Sequence, residues 1–424
     1  MDHHRSPSKE DAREGALSGL RVLDCATLIA GPTIATLMGD FGADVIKIEH
    51  PQGDALRTLG WEKDGISLWW AMANRNKRCI TLDFSKPQGQ EILKELVVHA
   101  DLLIEGFRPG RMEGWGLGYE QLSEINPQLI MVRVTGFGQT GPYRDRPGFG
   151  TLAESISGFA QINGPSDGPP MLPPFALGDT VAALFGTFAS MMALYHRAQS
   201  PDSGGQVIDL SIYEPMFSIL GPQTLVFDQL GTVQERTGNR ATFTSPRNAF
   251  RAKDGQWLGL SASSQSIADR LMRLVGREDL LHEEWFRSHR GRREHEDELD
   301  EILGDWIGQR EGKEVVDLFE QFEAAIAPMY SIVEIFADPH YKDRESITTV
   351  DHPKLGPVRT SNVVPRLSKT PGKIRHLGDE LGSANYDVYV NLLGHEPEEI
   401  VSWEKEKVVS EGTANSPAPP LDGA

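Results

Sequence analysis

Cysteine is scarce: Cys25 and Cys79 are the only two in a chain of 424 residues. That rules out a disulfide framework and suits a reducing compartment, so a cytoplasmic location is expected. No uninterrupted apolar run of about 18 residues occurs, and the N-terminus lacks the apolar core of a signal peptide, so no membrane partner is expected. Positive charge is in deficit, with 42 Lys and Arg against 61 Asp and Glu and a formal net charge of −19. A general nucleic-acid surface is thereby excluded, whereas a local basic pocket is not. Metal-ligating patterns are missing too: the histidines are scattered, and neither H-E-x-x-H nor a Cys pair at ligand spacing occurs, so no metal is expected. There is no Walker A loop and no G-x-S-x-G elbow. Glu49, at the end of a predicted strand, imitates the acidic ribose ligand of a dinucleotide site. The preceding turn lacks G-x-G-x-x-G, so nicotinamide and flavin are not expected.

What is present reads as a soluble α/β protein. Charged residues make up 24% and hydrophobic residues 39%, enough for a sizeable core. Residues 21–26 read as a buried strand, Pro32 suits the first turn of a helix that Gly42 can end, and 44–49 read as a second strand. This βαβ unit is followed by further strands near 78–83, 102–104 and 129–135 with helices between, the pattern of a doubly wound, Rossmann-like parallel sheet. Residues 204–212 begin another strand, and 213–225 look helical. From about 226 the texture shifts to a hairpin at 248–261 and then to charged helices up to about 323. The domain expectation is a disordered 1–16, a large α/β domain starting at 17–200, and a linker at 201–225. A smaller α+β domain follows at 226–325, then a return linker and the C-terminal part of the large domain at 326–408, and a loose tail at 409–424.

One acidic residue stands out. A Pro- and Gly-rich turn, 173–178, runs into Asp179 and then into a long apolar helix that should be buried on most sides. An Asp before an apolar run is usually only an N-cap, but a partly desolvated carboxylate there is also a candidate nucleophile, and spacing does not separate the two. Cations also gather in the loops of the α/β half: Asn74-Arg75-Asn76-Lys77-Arg78, Phe107-Arg108-Pro109-Gly110-Arg111, and a glycine-rich turn from Thr135 to Pro142. The last two follow strands, at the ends where open α/β sheets bind ligands, and they suit a phosphorylated one. The charged run 287–300 reads as a solvated helix face.

At these residues the chain resembles the class III coenzyme A transferases, a family that includes formyl-CoA and carnitine CoA-transferases. The resemblance rests on Leu-Ser-Gly-Leu-Arg-Val-Leu-Asp from position 17, Gly-Ala-Asp-Val-Ile-Lys-Ile-Glu from 42 and Asn76-Lys77-Arg78. It continues with Phe107-Arg108-Pro109-Gly110, Gly-Phe-Gly-Gln-Thr-Gly-Pro from 136, Leu177-Gly178-Asp179, Gly-Gln-Val-Ile-Asp-Leu from 205 and Asp338-Pro339-His340. It implies CoA transfer from an acyl-CoA donor to a carboxylic acid acceptor, with Asp179 as covalent nucleophile and no tightly bound cofactor. CoA contacts are implied at Ile29, Ala30, His50, Asn74, Arg75, Asn76, Lys77, Gly106, Phe107, Arg108, Thr135, Gly136, Phe137 and Gly138, with Arg111 added by proximity. An interlocked homodimer is implied as well, as is an active-site loop near 238–245. That loop lacks the glycine run of formyl-CoA transferases, and Ile29 stands where that branch has Gln; both departures argue against formyl-CoA and oxalate. The alternative, an α-methylacyl-CoA racemase on the same fold, requires a His before Asp179, where this chain has Phe149-Gly150.

Overall fold

The computed structural model describes residues 15–410. Six strands form one sheet: β1 (Arg21–Asp24), β2 (Asp44–Glu49), β3 (Lys77–Thr81), β4 (Leu102–Glu105), β5 (Ile130–Thr135) and β6 (Val207–Ser211). All neighbouring pairs are parallel, in the order β3-β2-β1-β4-β5-β6. β1 to β5 are almost wholly buried, as strands covered on both faces must be, with apolar residues such as Val22, Ile46, Ile80, Leu103 and Val132 beside a few buried charges. Each residue such as Leu23, Ile46 or Leu103 adds about 1.5–3 kcal/mol of apolar burial. Chain direction across the sheet reverses between β1 and β4, and the loops leaving those two strands open a crevice there.

Helix α1 (Ala30–Asp40) follows β1. Two further helices matter for the site, α2 (Gly150–Ile156) and the 23-residue α3 (Leu177–Gln199). α3 packs on α1 through small residues, and a Cβ at Gly186 would lie 2.4 Å from Ile34 Cδ1. The expectation of a helix buried on most sides is corrected. Ala182, Ala183, Ser190 and Ala193 face inward, whereas Leu184, Phe188, Met192 and Tyr195 form an exposed stripe, Phe188 at 63% and Tyr195 at 68%. By length and composition α3 could cross a membrane; its small inward residues instead fit it against the sheet domain.

Among the described residues, those up to Phe159, Pro173–Gly221 and those from Arg344 onward form one compact unit. Ala160–Leu172 and Pro222–Asp343 form the second, built on an antiparallel sheet of Arg247–Arg251, Trp257–Ser261 and Ile326–Pro328. The stretch 201–225, expected as a linker, contains β6 and the short α4 (Tyr213–Ser218). The helix expected over 213–225 breaks at Gly221-Pro222 and restarts at Gln223. Residues 326–343, expected in the return linker, belong to the second unit. Most of the termini expected to be loose lies outside the described residues, but Val408 and Val409 are buried in the first unit's core and Ser410 N–H donates to Thr81 Oγ1.

Candidate active site

The crevice holds a cavity of about 310 Å³. One wall is the loop from Ala26 to Gly31 after β1; another is Gly106–Pro109 after β4; a third is Val134–Gly136 with the loop from Arg144 to Phe149. Glycine makes the third wall possible: a Cβ on Gly136 would lie 2.4 Å from Gly148 Cα. Helix α1 starts at the cavity with no side chain capping Ile29, so its first N–H groups, together with the helix dipole, favour an anion there. Arg108, Arg144 and Arg146, all exposed, line the same space. Three guanidinium groups on one rim of an acidic chain make a local phosphate- or carboxylate-binding field.

Beneath the first wall lies a buried charge network. Lys77 Nζ donates to Asp24 Oδ2 at 2.9 Å, to Pro32 O at 2.7 Å and to Asn74 Oδ1 at 3.0 Å. Lys47 donates to the Ala26 carbonyl and pairs with Asp54 at 3.2 Å; Asp54 in turn accepts from Leu28 N–H at 3.3 Å. Leu28 has φ of 64°, a left-handed conformation uncommon for a branched residue, and the network's grip on both sides of it holds that turn. Burial alone would push both lysines down; Lys77 does lie below its ordinary range, whereas the carboxylates around Lys47 overcome burial and raise it.

Asp179 also lines the cavity. It is the third residue of α3, not its cap: the N-cap position is Ala176, which contributes no side-chain bond. The capping role falls instead to Glu154 of α2, whose Oε1 accepts from Gly178 N–H at 2.9 Å while the side chain is 2% exposed. Two glycines let the helix ends meet, since a Cβ on Gly150 would sit 2.4 Å from Asp179 Oδ2 and one on Gly178 would sit 2.9 Å from Gly150 O. Among the described residues, none donates a hydrogen bond to the Asp179 carboxylate. Burial, and then repulsion from Glu154, raise its pKa to about 6. At neutral pH the group is still mostly ionised and more basic than an ordinary aspartate.

Of the expected contacts, Ile29, Ala30, Gly106, Phe107, Arg108, Thr135 and Gly136 share the cavity with Asp179. Lys77, Asn74 and Asn76 do not; they are at most 2% exposed, at the start of β3, and support the pocket from behind. Arg75 is committed to Asp40 at 2.7 Å, and Asn76 Nδ2 donates to the same carboxylate at 2.8 Å. His50 lies beside Asp83 at 3.9 Å, Arg111 stacks over Trp115, and Phe137 packs edge-on to Tyr143. Gly138 N–H donates to Thr135 Oγ1 and braces that turn. The loop 238–245 belongs to the second unit, where Arg292 Nε donates to Ser245 O at 2.8 Å and Arg293 donates to Thr242 O. Sequence reasoning missed Arg144, Arg146 and Glu154. The arginines follow the glycine-rich turn directly, in Gly-Pro-Tyr-Arg-Asp-Arg, and extending that motif by four residues would have found them. Among the described residues, no group of three or more His, Cys, Asp or Glu stands where it could hold a metal.

A family model described as CoA-transferase family III matches residues 17–384. The chain is 38% identical over 395 residues to the succinyl-CoA–D-citramalate CoA-transferase of Chloroflexus aurantiacus, covering 93% of this chain and 98% of that one. It is 40% identical over 398 residues to the beta subunit of the succinyl-CoA–L-malate CoA-transferase of the same organism, with the same coverage. Among solved structures, a CAIB/BAIF family protein from Brucella suis matches with a TM-score of 0.78 and 29% identity, over 89% of this chain and 100% of that one.

Proposed function

The chain belongs to CoA-transferase family III and is a CoA-transferase; we propose that it moves CoA from a dicarboxylic acyl-CoA to a second carboxylic acid through covalent intermediates on Asp179. The observation that carries this reading is Asp179 itself, a basic carboxylate that, among the described residues, accepts no hydrogen bond and is the one acidic residue lining the arginine-rimmed cavity. Its oxygen attacks the donor thioester carbonyl. The C–S bond breaks, CoA leaves as thiolate, and a mixed anhydride remains. The thiolate attacks the aspartyl carbonyl, the donor acid leaves as carboxylate, and an aspartyl-CoA thioester forms. The acceptor carboxylate then attacks that thioester, giving a new anhydride and thiolate, and the thiolate takes the acceptor acyl group and frees Asp179. Each step exchanges one activated acyl group for another, so thioester energy is kept while water stays out.

Arg108 and the uncapped N-terminus of α1 suit the CoA phosphates, and Arg144 and Arg146 suit a substrate's free carboxylate. Succinyl-CoA is the first donor to test because both relatives are named for it. A racemase would need a base opposite Asp179 to take an α-proton; among the described residues no His lines the cavity, and Phe149, which the resemblance matches to that base, lines it instead. Isotope-labelled free acids incubated with succinyl-CoA, followed by mass spectrometry of the CoA products, test the reading. Labelled acyl-CoA should appear; deuterium exchange at the α-carbon without CoA exchange would contradict it. Arg108→Ala should raise KM for acyl-CoA about tenfold or more, with KM for the free acid little changed, as expected for a lost charge-assisted contact. Equal effects on both substrates would remove Arg108 from the CoA site.

The apolar stripe on α3 supports the interlocked homodimer, because a second copy would cover it. Sedimentation should give a dimer at micromolar concentration, and Phe188→Glu should yield a dissociated or insoluble chain. A stable, active wild-type monomer would contradict this.

A further inference from the structure

Glu154 is buried and caps a helix it does not belong to, and among the described residues no Lys, Arg or His pairs with it. An unpaired buried carboxylate is costly, and a cap alone would be served as well by a neutral amide. We propose that Glu154 is a positioning residue for the transfer reaction: it fixes the first turn of α3 and sets an uncompensated negative charge behind the reacting Asp179 carboxylate. This rests on the role given to Asp179 above.

The geometry has two parts. Glu154 Oε1 takes the Gly178 N–H at 2.9 Å, one residue before Asp179, so the turn presenting the carboxylate is tied to α2. The same α2 begins at Gly150, whose missing side chain is what gives Asp179 Oδ2 its place. The charge acts in addition. When Asp179 becomes an anhydride or a thioester its charge disappears, and the repulsion from Glu154 disappears with it. Glu154 therefore disfavours the free aspartate relative to every covalent intermediate, which promotes attack. The direction of the Asp179 shift agrees: burial raises it first, and Glu154 is the one charged group among the described residues that adds to it. Other charged groups on the elements packed against α3 are engaged elsewhere. Asp40 of α1 holds Arg75, Arg133 of β5 holds Glu105 and Glu113, Asp209 of β6 takes Gln139 N–H, and Glu214 of α4 takes the Ser211 hydroxyl. Asp202, beyond the far end of α3, is exposed, and Arg108, Arg144 and Arg146 stand across the cavity.

Glu154→Gln keeps an oxygen for the Gly178 N–H and removes the charge; Glu154→Ala removes both. In the wild type, activity at pH 5 should be about one tenth of that at pH 7.5, as a nucleophile titrating at about 6 requires. In Glu154→Gln the acid limb should move toward the ordinary aspartate value, so that at least about a third of the pH 7.5 rate survives at pH 5. The rate at pH 7.5 should fall, and Glu154→Ala should fall further. An unmoved acid limb in an active Glu154→Gln enzyme overturns the proposal, as does a Glu154→Ala enzyme indistinguishable from Glu154→Gln. A second measurement needs no turnover: the denaturation difference between Asp179 and Asp179→Asn proteins, followed from pH 4 to 8 with and without Glu154→Gln. In the wild type the difference should grow from about pH 4 and level off above about pH 6; with Glu154 neutralised it should level off at a lower pH and a smaller value, and an unchanged curve counts against the proposal. If the wild type transfers no CoA at all, the Asp179 mechanism falls, while this titration still decides whether the two carboxylates are coupled.

Discussion

Asp179→Asn should lower CoA transfer by at least about 10⁴-fold, the scale on which loss of a covalent nucleophile registers. The amide is a poor nucleophile and forms no anhydride. The fold should survive, because Glu154 rather than Asp179 caps α3. Stability should rise, in a pH-dependent way. The Asp179 carboxyl titrates at about 6 in the fold against roughly 3.9 in an unfolded chain. Its charged form is thus disfavoured by folding. Below about pH 4 it is protonated in both states and costs nothing; as pH rises through 6 the penalty grows to its full size. Asp179→Asn should therefore match the wild type near pH 4 and exceed it by about 1–3 kcal/mol at pH 8, the upper figure being the full shift without solvent screening. Circular dichroism during urea denaturation at the two pH values measures this. A variant less stable than the wild type at pH 8 would mean that the carboxylate is a structural anchor.

Lys77→Met should be the most damaging change to stability, about 3–5 kcal/mol, the range seen when one partner of a buried ion pair is deleted. The ammonium satisfies Asp24, Pro32 O and Asn74 together, and Met returns none of these bonds. Lys47, 3.9 Å from Asp24, is too far to replace them directly. The same variant separates two roles for Lys77. As a buried support it should shift the denaturation midpoint strongly, and the folded fraction should still bind acyl-CoA. Unchanged stability with lost acyl-CoA binding would make it the direct CoA contact that the family resemblance implies.

The sequence carried the parallel sheet because its signals are local: short apolar runs, Pro32 and Gly42 bracketing a helix, glycine-rich turns after strands. It carried Asp179 by its place before a long apolar helix, and Arg108 by its place after a strand. The buried network was not legible. Asp24, Lys47 and Lys77 are far apart in the chain, and only the register that sets Asp24 beside Lys47 and Val45 beside Lys77 brings them together. Read locally, Lys77 was a loop cation like Arg108; burial distinguishes them, and it is a tertiary property. α3 misled for a related reason. A helix apolar all round is read as buried, yet its small residues face its own chain and its large ones face outward. Glu154 left no local signature at all, since a cap supplied from another helix has no fixed spacing from the turn it caps.

Trapping tests the central claim most directly. The enzyme is incubated with acyl-CoA, quenched with hydroxylamine, digested and mapped by mass spectrometry. The mechanism predicts a hydroxamate, or a retained CoA adduct, on the peptide containing Asp179, present only when acyl-CoA is supplied and absent from Asp179→Asn. Full CoA transfer with no modification of Asp179, or by an Asp179→Asn enzyme verified free of deamidation, would contradict it.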